Sequence, residues 1–130
     1  MIISKEKPVV YERCKEVFGV EWEKGIIITY GESIHCINDL SNRPDLIVHE
    51  QTHIDQQTKY GVEAWWDRYF IDKEFRLDQE VEAYRNQVKY MKENYPRPYR
   101  RALIKSLCRD MSTLYKGMCT ESEAMELISI

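Results

Sequence analysis

Residues 42–61, NRPDLIVHEQTHIDQQTKYG, predict the central helix of the chain. Asn42 is a favoured N-cap residue, and Pro44 fits the first helical turn, where its missing amide hydrogen costs no hydrogen bond. An acid follows it, at the end of the helix where the backbone dipole is positive. Gly61 is typical of the position just after a helix. We therefore expect a helix over residues 43–60.

The middle of this helix carries the pattern His49-Glu50-Gln51-Thr52-His53 (H-E-x-x-H), which uses two of the three histidines in the chain. In a helix the two histidines lie about 40° apart around the axis and about 6 Å apart along it, so both imidazoles can reach one metal ion. Glu50 projects beside them, where a carboxylate can act as general base toward a water molecule. The alternative is a polar face with two solvated histidines, but the apolar residues around the pattern favour a metal site.

Two histidines leave a catalytic zinc ion one protein ligand short of its usual three. The extended metzincin pattern requires a glycine three residues after His53 and a histidine, or an aspartate in a variant, six residues after it. Gln56 and Lys59 stand at these positions, which excludes that class. A glutamate from a later helix is the remaining common solution, and residues 79–85, QEVEAYR, offer two.

Only one of these two glutamates can face the site, because Glu80 and Glu82 point about 200° apart around a helix. Glu80 is favoured as the third ligand, since it shares a helix face with Ala83, Tyr84 and Gln87. The small Ala83 would allow close helix packing, and Tyr84 could hydrogen-bond a ligand histidine. Glu82 is the alternative ligand, and a solvated acidic face is the alternative for both.

Ahead of the central helix, the sequence predicts a short helix and a hairpin. Residues 8–18 repeat apolar side chains at helical spacing and are followed by a glycine. Residues 25–30, GIIITY, form a β-branched run, and residues 33–37, SIHCI, alternate apolar and polar side chains. Gly31-Glu32 between them is typical of a hairpin turn.

Apolar residues at three- and four-residue steps predict further helices over 62–71, 77–91, 99–115 and 124–128. We expect a bend at 72–75 and a break at Tyr95-Pro-Arg-Pro98, because proline restricts itself and the preceding residue. Thr120 and Glu123 fit a capping box. The predicted fold is α+β, mostly helical with a small antiparallel sheet before the H-E-x-x-H helix, in one domain of residues 1–130.

The composition disfavours several classes of protein. With 19 Lys plus Arg against 22 Asp plus Glu the net charge is -3, so the chain lacks the basic field of a nucleic-acid-binding protein. No apolar run approaches the roughly 18 residues that cross a bilayer, and the first residues lack a signal-peptide core. We expect a cytoplasmic protein that binds neither nucleic acid nor membrane, and carriage in a virion is also compatible with these features.

Other conspicuous residues receive structural interpretations. The cysteines, which lack C-x-x-C spacing, are expected to be reduced and partly buried rather than disulfide-bonded or metal-bound. They are Cys14, Cys36, Cys108 and Cys119. The basic stretch over 97–109 is expected to be a solvated face. The adjacent Trp65 and Trp66 are expected to be core residues, and the alternative is that one of them lies along a cleft or interface.

Residues 45–57, DLIVHEQTHIDQQ, with K-Y-G at 59–61, the pair Trp65-Trp66 and E-V-E-A-Y at 80–84, resemble the small zincin-like metallopeptidases of bacteria and their phages. This resemblance covers about a third of the chain. It implies Zn²⁺ as cofactor and a peptide or protein as substrate. In the glutamate-type zincins the third ligand is the first glutamate of an E-x-x-A-D-like stretch, which corresponds to Glu80, while Tyr84 replaces the family's histidine-orienting aspartate.

The resemblance also implies that a strand ahead of the helix borders the cleft and pairs with an extended peptide substrate. Residues 33–37 are the candidate strand. His35 on this strand is a candidate for stabilising the oxyanion of the transition state, with a plain surface histidine as the alternative. Tyr84, Tyr69 and Tyr60 are further candidates for the same role.

The function that these features predict is a zinc-dependent metallopeptidase, in which His49, His53 and Glu80 bind Zn²⁺ and Glu50 is the general base. The first alternative is a catalytically inactive zincin-like binding or regulatory protein with a structural metal. The second is a helical interaction module without a metal.

Overall fold

The computed structural model describes residues 1–114 and 117–129. Over these residues the chain is mostly helical with a small mixed sheet, which confirms the α+β prediction. The strands are β1 (Ile2–Ser4), β2 (Ile28–Tyr30) and β3 (Ser33–His35). The helices are α1 (Tyr11–Phe18), α2 (Pro44–Tyr60), α3 (Val62–Ile71), α4 (Lys73–Asn94), α5 (Arg97–Thr113) and α6 (Glu121–Ile128), with a 3₁₀ turn at Trp22–Lys24.

The sheet contains the predicted hairpin and one strand that sequence analysis missed. β2 and β3 pair antiparallel across a turn in which Gly31 has a φ of 62°. β1 pairs parallel with β3 and places Ile2 opposite Ser33. The strand order is therefore β1-β3-β2, with β3 in the centre. β1 is three residues long and mostly exposed, so it lacks the alternating pattern that identifies a strand.

The segment before β2 is not a strand over its first residues, contrary to the prediction. Gly25 ends the 3₁₀ turn with a φ of 85°, and a Cβ there would lie 2.4 Å from Nδ2 of Asn38. This left-handed backbone and close approach favour glycine and interrupt the extended conformation. Regular pairing begins only at Ile28. The residues before it, from Gly25, run along the central cavity instead.

α2 forms over the predicted residues but begins differently. The N-cap is Arg43 rather than Asn42, and it makes no side-chain cap hydrogen bond. Arg43 instead donates two hydrogen bonds of 2.9 Å to the carboxylate of Asp45. α2 packs chiefly against α4 on one side, and β2 also packs against α2. This arrangement places the H-E-x-x-H residues between the sheet and α4.

The remaining helices confirm the predictions, with shifted ends. Asp72 separates α3 from α4, since its side chain accepts a hydrogen bond from the amide of Phe75. α5 begins at Arg97 instead of residue 99 because proline tolerates the first helical turn. Its predicted end at Tyr115 lies outside the described residues. The capping box of Thr120 and Glu123 is present at α6.

Three apolar clusters form the core. One joins α1, the 3₁₀ turn and α3 through aromatic side chains, one joins α4, α5 and α6, and one joins the sheet to α2. The cysteines are unpaired and buried or half-buried, as predicted. Burial raises the pKa of Cys14 to about 12. Among the described residues, no helix is both long and apolar enough to cross a membrane.

The predicted solvated basic face is confirmed. It contains Arg97, Arg101, Lys105 and Arg109, which are exposed, and Arg100, which is half-buried.

Candidate metal centre

Three side chains from two helices converge at the contact between α2 and α4. His49 and His53 come from successive turns of α2, and Glu80 comes from α4. Nε2 of His49 lies 3.1 Å from Oε1 of Glu80, and Nε2 of His53 lies 3.2 Å from the same oxygen. The two Nε2 atoms are 3.2 Å apart. All three residues are buried.

The spacing of this His-His-Glu cluster suits a tetrahedral metal ion. Ligand atoms bound about 2.0–2.1 Å from one zinc ion at tetrahedral angles lie about 3.3 Å apart. The observed separations of 3.1 to 3.2 Å are close to that value. Two imidazoles and one carboxylate are also a donor set that zinc prefers. The residues present therefore fit the ion that the sequence predicts.

The electrostatics of the metal-free cluster also favour a cation. Burial lowers the pKa of His53, but the negative charge of Glu80 outweighs it and raises that pKa to about 9. Burial likewise opposes ionisation of Glu80, yet the charge of His53 and the hydrogen bonds of both histidines hold the pKa of Glu80 well below its usual range. A positive charge is thus stabilised at the point where the three ligand atoms meet.

Gln87 orients His49. Nε2 of Gln87 donates to Oδ2 of Asp45 at 2.9 Å, and a carboxylate only accepts, so Oε1 of Gln87 must face His49. Nδ1 of His49 lies 2.9 Å from that oxygen and therefore carries the hydrogen. Nε2 of His49 is thereby directed toward Glu80. Asp45 is itself held by Arg43 and by the hydroxyl of Tyr95.

Gln56 orients His53 in the same way. Nε2 of Gln56 donates to the carbonyl of Gln79 at 3.0 Å and to Oε1 of Glu82 at 2.8 Å. Oε1 of Gln56 therefore accepts from Nδ1 of His53, at 2.8 Å. Nε2 of His53 again points into the cluster. Glu82, the alternative ligand, is exposed and lies outside the cluster, where it fixes the orientation of Gln56.

Aromatic side chains enclose the cluster. The hydroxyl of Tyr69 donates to Oε2 of Glu80 at 2.6 Å and fixes the carboxylate, both of whose oxygens lie 3.2 Å from Nε2 of His53. The ring of Tyr84 meets that of His49 edge-on, with centroids 4.4 Å apart. The ring of Trp65 lies 5.5 Å from that of His53. Tyr84, at the position of the expected aspartate, therefore packs on a ligand ring, and Gln87 one turn later supplies the acceptor.

Glu50 lies beside the cluster without entering it. Its Oε2 is 3.8 Å from Nε2 of His49, and its Oε1 accepts a 2.9 Å hydrogen bond from the hydroxyl of Thr29 on β2. The carboxylate is thus held next to the metal ligands by the sheet. This is the position that a general base toward a water molecule requires.

The cluster and Glu50 line one cavity of about 360 Å³. Its walls are largely apolar and come from the segment before β2, from α2 to α4 and from α5. They include Ile26, Ile28, Leu46, Trp65, Trp66 and Leu107. Both tryptophans are buried in the core, which confirms the core interpretation of the pair, and both also line the cavity.

His35 is not brought to this cavity. Side chains alternate along β3, and the buried Ile34 packs toward α2, so His35 points to the opposite face of the sheet. There, Nδ1 of His35 lies 2.7 Å from the carbonyl oxygen of Glu6. Tyr60 also lies elsewhere, with its hydroxyl accepting from Arg68 at 3.0 Å. Of the candidates for contacting an oxyanion, only Tyr69 and Tyr84 line the cavity.

The strand available to a peptide is β2, not β3. β3 is paired on both sides, whereas β2 has a free edge at the cavity. Gln57 occupies part of that edge, since it donates to the carbonyl of Thr29 at 2.9 Å and accepts from the amide of Gly31 at 2.7 Å. Backbone amide and carbonyl groups alternate in direction along a strand. The amide and carbonyl of Ile27 and the amide of Thr29 therefore also face this edge.

Sequence reasoning missed several residues that build the site. Gln56 and Gln87 fix the ligand histidines, Gln57 anchors β2, and Thr29 holds Glu50. Gln87 shares the predicted face of Glu80 and could have been found from that spacing. No local signal identifies Thr29, because its contact spans 21 positions of the chain.

No family model, curated protein or solved structure matches the chain. The resemblance to the zincin-like metallopeptidases therefore rests on the quoted residues.

Proposed function

We propose that this protein is a zinc-dependent metallopeptidase that hydrolyses peptide bonds. The observation that carries the proposal is the convergence of His49, His53 and Glu80 on one point, with the carboxylate of Glu50 beside it in a cavity. A metal site that only stabilises the fold needs no fourth ionisable residue held next to its three ligands. The buried, separately anchored Glu50 therefore supports a hydrolytic role over a structural one.

In this proposal His49 and His53 bind Zn²⁺ through Nε2, and Glu80 binds through a carboxylate oxygen. The bound ion would supply Lewis acidity and lower the pKa of a water molecule. Glu50 accepts a proton from the attacking water and delivers it to the leaving amine of the substrate. Tyr69 and Tyr84 line the cavity near the ligands and are the candidates for contacting the carbonyl oxygen of the scissile bond.

The substrate binds at the free edge of β2, where Ile27 and the amide of Thr29 offer backbone hydrogen bonds. Such bonds do not depend on the substrate's sequence. The apolar walls of the cavity then receive a substrate side chain. In this proposal, the H-E-x-x-H helix α2 and the edge strand β2 before it thus act together.

Peptide cleavage by the zinc-loaded protein tests the proposal. We expect new termini in a degenerate peptide mixture, detected by mass spectrometry, and loss of cleavage on chelation with recovery when zinc is returned. Glu50→Gln should keep zinc and lose at least about a hundredfold in kcat, because general-base catalysis contributes about that much or more. Wild-type turnover in Glu50→Gln would show that the base assignment is wrong.

A second candidate is a catalytically inactive, zincin-like binding or regulatory protein with a structural metal. It is favoured by one observation, the occupation of part of the β2 edge by Gln57, which shortens the surface on which a peptide can pair. Equal binding of a peptide by the wild type and by Glu50→Gln, without cleavage of any peptide, would support this candidate.

A further inference from the structure

Helix α5 presents an acidic residue to the cavity. Leu107 and Asp110 on α5, with Leu114 just after it, all line the cavity. Their spacing of three and four residues places them along one side of the helix. The pattern of this side calls for an apolar residue at the middle position. The carboxylate of Asp110 therefore interrupts an otherwise apolar side of α5.

Asp110 has no partner of its own. It is half-buried, and among the residues that the structure describes, none donates a hydrogen bond to it or forms an ion pair with it. Burial raises the pKa of Asp110, and the nearby positive charges of Arg109, Arg43 and His49 only partly oppose that effect. A desolvated carboxylate without a partner costs stability, so its presence requires another explanation.

The neighbouring cations are committed elsewhere. Arg43 donates both of its short hydrogen bonds to Asp45. Lys24 lies 3.4 Å from Glu21. Arg109 is exposed on the solvated basic face. None of these side chains is therefore available to neutralise Asp110 inside the cavity.

The charges at the cluster leave Asp110 unbalanced. With a divalent ion at the cluster, the negative charges of Glu80 and Glu50 would be balanced. Glu21 and Lys24, which also line the cavity, pair with each other. Asp110 then adds one further negative charge to the same cavity. A charge of this kind, surrounded by apolar walls, attracts a cationic group that arrives with the substrate.

We propose that Asp110 determines specificity, by selecting substrates that carry an ammonium or guanidinium group on an otherwise apolar segment. The inference rests on the proposed function and specifies its substrate class. The cation can be a lysine or arginine side chain or the free amino terminus of a peptide, since the chemistry that Asp110 recognises is the same. Asp110 contacts the substrate, and the metal is held independently of it.

Peptide binding provides a test that does not depend on cleavage. Trp65 and Trp66 line the cavity, so indole fluorescence of zinc-loaded Glu50→Gln reports on occupancy. The probes are N-acetylated, C-amidated hexapeptides of alanine and leucine in which one position at a time carries lysine, norleucine or glutamate. A parallel set with a free amino terminus separates a side-chain cation from a terminal one.

We expect the best lysine peptide, or the free-terminus set, to bind about tenfold more tightly than its uncharged counterpart. The preference should disappear when Asp110→Asn is added and persist with Asp67→Asn, the same chemical change at an exposed position of α3. Equal binding of charged and uncharged peptides, or a preference that survives Asp110→Asn, would overturn the proposal. Charge-selective binding without cleavage by the chain that retains Glu50 would instead overturn hydrolysis alone.

Thermal unfolding of zinc-loaded Asp110→Leu provides a second measurement. Leucine continues the apolar side of α5, so we expect Tm to rise by about 3 to 5 °C while the charge preference is lost. A lower Tm would assign Asp110 a structural role and overturn the proposal.

Discussion

Nδ1 of His49 lies 2.9 Å from Oε1 of Gln87, whose amide nitrogen is held by Asp45. A glutamine thus connects a buried carboxylate to a candidate metal ligand. Gln56 makes the equivalent connection between Glu82 and His53. Both rings are therefore oriented through Nδ1, with Nε2 directed at the candidate metal position before any metal binds.

Replacing Gln87 tests this connection. Gln87→Met keeps the length of the side chain but removes the acceptor for Nδ1 of His49. We expect zinc affinity to fall by about 10- to 100-fold, because losing such an outer hydrogen bond has that effect in metal sites. Competition with a chromophoric chelator measures the affinity. Gln51→Met, on α2 outside the cluster, is the matched control and should bind zinc like the wild type.

Metal content distinguishes the two candidate glutamates. We expect about one zinc per chain in protein purified without chelator or a histidine tag, and its loss in His53→Ala and Glu80→Ala, since each removes one of three ligands. Glu82→Gln should retain zinc, because Glu82 lies outside the cluster. Elemental analysis decides the question. Zinc retained in Glu80→Ala and lost in Glu82→Gln would reverse the assignment.

Thr29 provides a test of how Glu50 is held. Thr29→Val preserves the β-branched shape but removes the 2.9 Å hydrogen bond to Oε1 of Glu50. We expect zinc content to be unchanged and kcat to fall about tenfold, because the base is less well positioned. Steady-state kinetics with metal analysis of the same samples checks both quantities. A loss of zinc in Thr29→Val would show that this contact supports the metal ligands instead.

The pH dependence of stability follows from Asp45. Burial alone would raise its pKa, but the hydrogen bonds it accepts, first from Arg43, lower it below its ordinary value of 3.8. Asp45 therefore stabilises the fold fully above that value, and the contribution is lost as the pH falls through the lower pKa of the folded chain. Asp45→Asn should cost at least about 2 kcal/mol at pH 7.

Urea unfolding of the zinc-free chains checks this prediction. The difference in unfolding free energy between wild type and Asp45→Asn should shrink as the pH falls below about 4. Asp39→Asn is the matched control, because Asp39 also has a lowered pKa but is exposed and bonds only Ser41. A difference that is independent of pH would mean that the charge of Asp45 does not stabilise the fold.

Much of the helical framework follows from the sequence because its signals are local. Helix periodicity relates residues three or four positions apart, so it places His49 and His53 on one side of α2 and Glu80 apart from Glu82. Other local patterns predicted the hairpin and the capping box at Thr120 and Glu123. Each of these features is determined within a few residues of the chain.

The parts that sequence reasoning missed depend on residues far apart in the chain. β1 pairs with β3 across about thirty positions, and this pairing moves β3 from the edge to the centre of the sheet. Once β3 is central, both of its edges are paired, and β2 is the strand with a free edge at the cavity. A three-residue strand such as β1 is too short to show the alternating pattern that would predict its pairing with β3.

The sequence by itself determined the helices, the H-E-x-x-H pair and the preference for Glu80, because backbone geometry converts short spacing into a common face. Only the tertiary structure decided which side chains support these residues. Thr29 reaches Glu50 from β2, and Asp110 enters the cavity through the packing of α5. Such partners are selected by the packing of distant elements, for which no short pattern exists in the chain.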